Sequence, residues 1–229
     1  MASISYRQVC AHMLKESFPI PAPMFNGASR CVDVGNVFDW FRQGWAIFLA
    51  NPGVWMTMTV ILMVILSGLA IVPWFAEAAA CLLTPLLAAG LLLACRKIER
   101  DQKLEIRDLF AAFQSHSGGL VVLGVFYMLA MLGAGLLGAL PSRILCALIA
   151  LSIWFASALM VFNRLQPVDA LKASIRACLK NFLVFLVYGL ISLILCFFAA
   201  LPIGLGFLVL GPVLAGSVYA SYRDIFIAV

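Results

Sequence analysis

The stretch VDALKASIRACLKNFLVFLVYGLISLILCFFAALPIGLGFLVLGPVLAGSVYASYRD, Val168 to Asp224, decides the fold. It opens with a charged helical approach, Asp169–Lys180. Two apolar runs follow, Phe182–Leu201 and Ile203–Tyr222, with Pro202 between them. Each has the ~20 residues that a helix needs to cross a hydrocarbon core of about 30 Å. Lipid offers backbone polar groups no partner, so runs of this length must pair them internally as helices. The alternation of polar and apolar residues that marks a β-barrel strand does not occur.

Four earlier runs have the same length: Gly53–Val72, Trp74–Cys95, Gly119–Leu140 and Ile144–Phe162. The whole chain is 65% hydrophobic and only 11% charged, outside the range of soluble domains. The expected fold is an all-α integral membrane protein. Its six transmembrane helices form three hairpins, each preceded by a cytoplasmic interfacial amphipathic helix.

The first of those short helices begins at Asn36, a residue suited to an N-cap. Val37, Phe38, Trp40, Phe41, Gly44, Trp45 and Phe48 fall on one broad face, and Asp39, Arg42 and Gln43 on the other. Too short to cross, it is expected to lie in the headgroup layer until Asn51-Pro52 breaks it. Leu104–Gln114 and Asp169–Lys180 occupy the same place ahead of the later hairpins.

The layout repeats at a coarse period. Each unit reads short helix, span, proline turn, span, arginine, over about residues 36–96, 104–164 and 168–224. The turn prolines are Pro73, Pro141 and Pro202; the closing arginines are Arg96, Arg164 and Arg223. Units one and three also align in detail, from Pro85 over Pro212 to Arg96 over Arg223, with Asn51 and Asn181 at their entries. Together the units make one transmembrane domain, residues 36–226. Residues 1–35, with prolines at 19, 21 and 23, are expected to be a mobile or surface-lying tail.

Charge orients the bundle. The net charge is +5, and the Lys and Arg residues outside the spans, Arg143 excepted, fall on one side. That side, with both termini, should be cytoplasmic. Every acid except Glu77 lies in the same segments, so the basic residues are a topology signal and not a nucleic-acid surface. The seven cysteines contain no CxxC and read as reduced, small apolar residues.

Chemistry is scarce. No Asp, Glu, Lys, Arg or His occupies the middle of a span, which removes the usual machinery of ion-coupled pumps. No GxSxG elbow and no phosphate-binding glycine loop occurs. Cys10, His12, Cys31 and His116 lack the paired short spacings of a zinc site. The expectation is therefore no enzyme, no catalytic residues, no metal and no cofactor. Glu77, close to the start of the second span, has two readings: a carboxylate favoured by the helix dipole, or a gating group. Lys172, Arg176 and Lys180 form a basic stripe that, with Arg223, would meet anionic headgroups or a partner protein. Gly90 with Ala94, and Ser217 with Ser221, share the small-xxx-small spacing of close helix packing.

Two motifs carry a likeness. Gly44-Trp45, Phe48 and Asn51-Pro52, together with the ending Tyr219-Ala-Ser-Tyr-Arg-Asp-Ile-Phe226, resemble a group of uncharacterised six-span proteins of proteobacterial inner membranes. The resemblance implies an inner-membrane location and brings no catalytic or binding residues with it. Two functions follow as expectations. The first is a structural, lipid-organising or partner-binding bundle, in contact with anionic lipids and with a protein partner or further copies of itself. The second is a transporter or channel for an uncharged or lipid-like solute. Neutral polar groups facing a shared cavity would favour the second, and a filled interior the first.

Overall fold

An asparagine followed by an apolar helix marks two of the places where a short helix hands over to a long one. The computed structural model describes residues 29–71, 73–115, 117–136, 146, 149 and 153–227. Helix α1 (Asn36–Ala50) ends at Asn51 and α2 (Pro52–Ala70) starts at once, with Pro52 in the first turn where its missing N–H costs nothing. Helix α3 (Pro73–Glu99) follows. A 3-10 turn (Ile106–Phe110) and α4 (Ala111–Ser115) lead into α5 (Ser117–Gly135). After the fourth apolar run, only the end of which is described, come α6 (Ala156–Asn163), α7 (Pro167–Lys180), α8 (Phe182–Ala200) and α9 (Phe207–Tyr222). A π-helical turn, Arg223–Ile227, completes α9.

All regular structure among the described residues is helical, and four helices are long and apolar enough to cross a membrane: α2, α3, α5 and α8. The sixth apolar run departs from its expected outline. Ile203 and Gly204 adopt positive φ values of 54° and 79°, so the backbone turns there and regular helix resumes only at Phe207. Helix α9 is consequently 16 residues long, extended by the π turn.

A second departure concerns α1. Its aromatic residues do not share one face. Trp40, Val37, Ile47 and Phe48 are buried while Phe38 and Trp45 are exposed. The buried face is set by Gly44. A methyl group there would stand 2.2 Å from the Val213 carbonyl oxygen, and one on Gly216 would stand 2.7 Å from the Gly44 Cα. Two glycines thus let the α1 and α9 backbones touch, and α1 is wedged against α9 instead of lying free on a surface.

The same construction recurs. Gly90 of α3 meets the Leu109 carbonyl of the second short segment, where a methyl would be 2.0 Å from the oxygen. Helix α6 packs on α7, and the Phe155 amide donates to the Ser174 hydroxyl at 3.1 Å. In each unit the second span therefore holds the short helix of the next unit, with unit three holding that of unit one. First spans follow the rule too. Helix α3 packs on α5 and α9 on α2. Trp154 and Phe155, at the start of α6, place their rings on Phe185 and Tyr188 of α8. Helices α3, α6 and α9 also touch one another, with α5, α8 and α2 packed against them.

Candidate functional site

Position along the repeat decides what lies between α3, α6 and α9. Ala88 of α3 and Ala215 of α9 lie the same number of residues ahead of their closing arginines, Arg96 and Arg223. Leu91 and Val218 are likewise equivalent. These four residues line one cavity of about 280 Å³, with Thr84, Pro85 and Leu92 of α3, Tyr127 of α5, and Ile153, Trp154 and Ser157 leading into α6. The small side chains of Ala88 and Ala215 let α3 and α9 come close yet leave the space beside them unfilled. Pro85 adds to this, because a proline inside a helix removes one backbone hydrogen bond and prevents regular coiling around it.

The lining is apolar apart from two hydroxyls, a phenol and an indole. Thr84 donates back to the Ala80 carbonyl at 2.7 Å, whereas the Tyr127 hydroxyl has no hydrogen-bond partner among the described residues. The Trp154 indole nitrogen is buried without a hydrogen-bond partner among the described residues. The Trp154 ring itself is fixed edge-on to Tyr188, 5.7 Å between centroids. Tyr188 in turn shares a 2.7 Å hydrogen bond with Ser217 of α9. Among the described residues no charged side chain lines the cavity.

One end of the cavity is sealed by the closing arginines and their partners. Arg223 forms an ion pair with Glu99, the last residue of α3, and the Tyr219 hydroxyl donates to the same carboxylate. The Tyr222 hydroxyl donates to the Asn163 side chain of α6. Arg96 lies 5.2 Å from the centroid of the Phe162 ring, within range of a cation–π contact. Every second span contributes to this plug. Arg223 is only 8% exposed, so it belongs to the interior and not to the basic surface with which the sequence groups it.

A second polar cluster fastens the two ends of the described chain together. Asp224, 2% exposed, forms an ion pair with Arg30. It also accepts from the Asn36 amide and from the Trp40 indole, both at 2.9 Å. Asn181, between α7 and α8, accepts from the Val32 amide at 2.9 Å and donates to the Arg30 carbonyl at 3.0 Å. Residues 29–35, counted with the tail by their sequence, are held by this cluster.

The other sequence-selected residues fall as follows. Lys172 and Arg176 are exposed on α7, and the Lys180 ammonium reaches the Ser29 carbonyl at 2.6 Å. The opposite face of α7 is buried, and burial pushes the Cys178 thiol up to about 12, which keeps it protonated and unreactive. Ala94, Ser217 and Ser221 are buried at helix contacts, and Gly90 sits against the Leu109 carbonyl. Helix α3 starts at Pro73, which places Glu77 beyond its first turn; the Glu77 side chain lies outside what the structure describes. Among the described residues no cluster of His, Cys, Asp or Glu could hold a metal. Cys31 is exposed and free, and Cys10, His12 and His116 lie outside the described residues.

Sequence reasoning did not single out Tyr127 and Trp154, which lie mid-span on either side of Pro141, because nothing local separates a side chain that lines a cavity from one that packs. It also missed Glu99 and Asp224, whose partners are in other units. Acids beside the ends of spans look like solvated topology residues until the ring closure brings a base to each.

Comparison with known proteins agrees with this reading of the chain. Residues 71–140 match the family described as "Predicted integral membrane protein (DUF2189)". A relative from Burkholderia thailandensis, described as a probable inner membrane protein, is 29% identical over 218 residues, covering 79% of this chain and 79% of its own. No solved structure matches. The chain is an integral membrane protein with several transmembrane helices, similar to an inner-membrane protein whose length it largely spans.

Proposed function

We propose that this protein is a non-enzymatic, six-span inner-membrane bundle that binds and passes an uncharged, lipid-like solute. Three hairpins of like orientation surround one axis, with both termini on the cytoplasmic side. Parallel repeats around an axis along the membrane normal are a known transporter plan, with the solute site where the repeats meet. One observation carries the reading. Helices α3 and α9 turn equivalent positions, Ala88 with Ala215 and Leu91 with Val218, toward one cavity of about 280 Å³, which Ile153, Trp154 and Ser157 close from the α6 side. A filled interior would have favoured a purely structural bundle. An ionised group would lose its hydration there without gaining a counter-charge, a cost of several kcal/mol or more, so the solute is uncharged.

Native mass spectrometry of the protein, extracted gently from its own membrane, tests this directly. The expected result is one bound neutral molecule per chain, followed by movement of that molecule across liposomes. A chain that retains a fixed protein partner or further copies of itself, and no small molecule, would overturn the reading.

The exposed Lys172 and Arg176 support a second, compatible role in gathering anionic lipid. Each contributes about 1 kcal/mol near an anionic surface. Replacing both with Glu should weaken retention of anionic lipid by about thirtyfold or more, while the cavity's contents stay unchanged. Equal retention of anionic lipid would remove that role.

A further inference from the structure

Resting on the cavity as a solute site, we infer that it is loaded sideways from the bilayer at Thr84 of α3, and that its ligand is a single hydrocarbon chain with an uncharged polar end held by Tyr127. Access is the first argument. Of the residues lining the cavity, Thr84 is the exposed one, Pro85, Leu92 and Ser157 are buried, and the others, Tyr127 and Trp154 among them, are half-buried. The open side therefore lies at Thr84, midway along α3, on the same cavity as Tyr127 of α5. The axial route at the arginine end is closed by Glu99–Arg223, Tyr219, Tyr222–Asn163 and Arg96 over Phe162. A solute reaching the cavity from the Thr84 side comes out of hydrocarbon, so it is a membrane-dissolved molecule.

Size and chemistry then narrow the class. At about 280 Å³ the cavity lies below the range of about 300–1,000 Å³ that takes a drug-sized ligand. A phospholipid with two chains and a headgroup is too large for it, while one chain segment fits. The described lining residues offer no charge for a phosphate or carboxylate. Thr84 has its hydrogen committed to the Ala80 carbonyl, while the Tyr127 hydroxyl is a half-buried lining donor with no hydrogen-bond partner among the described residues. A hydroxyl, ether or ester oxygen on the ligand meets that donor. The crossing of α5 over α3 fixes Tyr127 in place, since Gly124, one turn earlier, lies against the Leu82 and Cys81 backbone.

Photo-crosslinking in lipid nanodiscs tests the inference, with a hexadecanol carrying a mid-chain diazirine and, separately, a phosphatidylglycerol carrying the same group. The alcohol should label peptides containing Ala88 and Tyr127 saturably at one per chain. The phospholipid should label the lipid-exposed α8 without saturation. Tyr127→Phe should weaken saturation by the alcohol about three- to tenfold, the loss of one hydrogen bond. Thr84→Trp, whose indole would occupy the open side, should reduce saturable labelling of the cavity peptides by the alcohol. Thermal unfolding in detergent checks that both variants remain folded. Saturable labelling by the alcohol that ignores both substitutions would overturn this inference and leave the solute site standing. Equal labelling of the cavity peptides by the phospholipid would overturn the single-chain assignment. No saturable labelling of those peptides by either probe would overturn the solute site itself.

Discussion

Gly44→Ala is expected to destabilise the protein by about 3 kcal/mol, at the upper end of the usual cost of overpacking. The methyl group would meet the Val213 carbonyl oxygen at 2.2 Å and the Ser217 amide nitrogen at 2.9 Å. Both are backbone atoms of α9, so no side chain can swing aside. Helix α1 must move, and what it carries moves with it: the Trp40 indole bonded to Asp224, and the Phe41 ring stacked on Tyr188 at 5.0 Å. Reversible unfolding in mixed micelles measures the loss. Gly68→Ala is the matched control, because nothing lies within 4 Å of a methyl group there. In a helix that change should gain up to about 1 kcal/mol. If the two variants behaved alike, the α1–α9 contact would not be the close approach described.

The second large effect is expected at Asp224. Asp224→Ala removes the ion-pair partner of Arg30 and the acceptor for both Asn36 and Trp40. The Arg30 side chain is 38% exposed, so water recovers part of its loss. Trp40 is fully buried, and its N–H is left with no replacement, as is the Asn36 amide. Together these come to about 3 kcal/mol. Asp224→Asn, which keeps an acceptor oxygen, should lose less. A double-mutant cycle with Trp40→Phe isolates the indole bond: the two changes should cost less together than the sum of each alone. Strict additivity would show that the bond contributes nothing. Trypsin should also cut after Arg30 sooner in Asp224→Ala than in the parent chain.

These two sites show which parts of the molecule are legible in sequence. Asn51-Pro52 marks a helix boundary because capping and proline act locally, within a turn, whereas the helix expected from Asp169 starts at Pro167. Apolar length gives the long helices for the same reason. Helix α9 was misread at its start, since an apolar run does not reveal that Ile203 and Gly204 take positive φ. The face of α1 was misread because aromatic residues surround it, and only the glycine contact with α9 selects Trp40 for the interior and Trp45 for the exterior. Arg223 resembles every other arginine that ends a span. Its burial depends on Glu99, which closes a different unit and is brought near only when the hairpins form a ring. The cavity is hidden for the same reason. Ala88 and Ala215 are ordinary residues in apolar helices until the repeat turns both toward one axis.

The ring also has a consequence in time. Two of its three junctions are peptide links, between α3 and the second short segment and between α6 and α7. The third, from α9 back to α1, has no covalent link, and the Asp224 cluster stands in its place. Because chains emerge N-terminus first at roughly 5–20 residues per second, α1 is made early and its partner last. Through that interval of several seconds the Gly44 face and the Trp40 indole wait uncovered at the membrane. The cell's insertion machinery, or the bilayer itself, has to shelter an unfinished seam until the final helix arrives to close it.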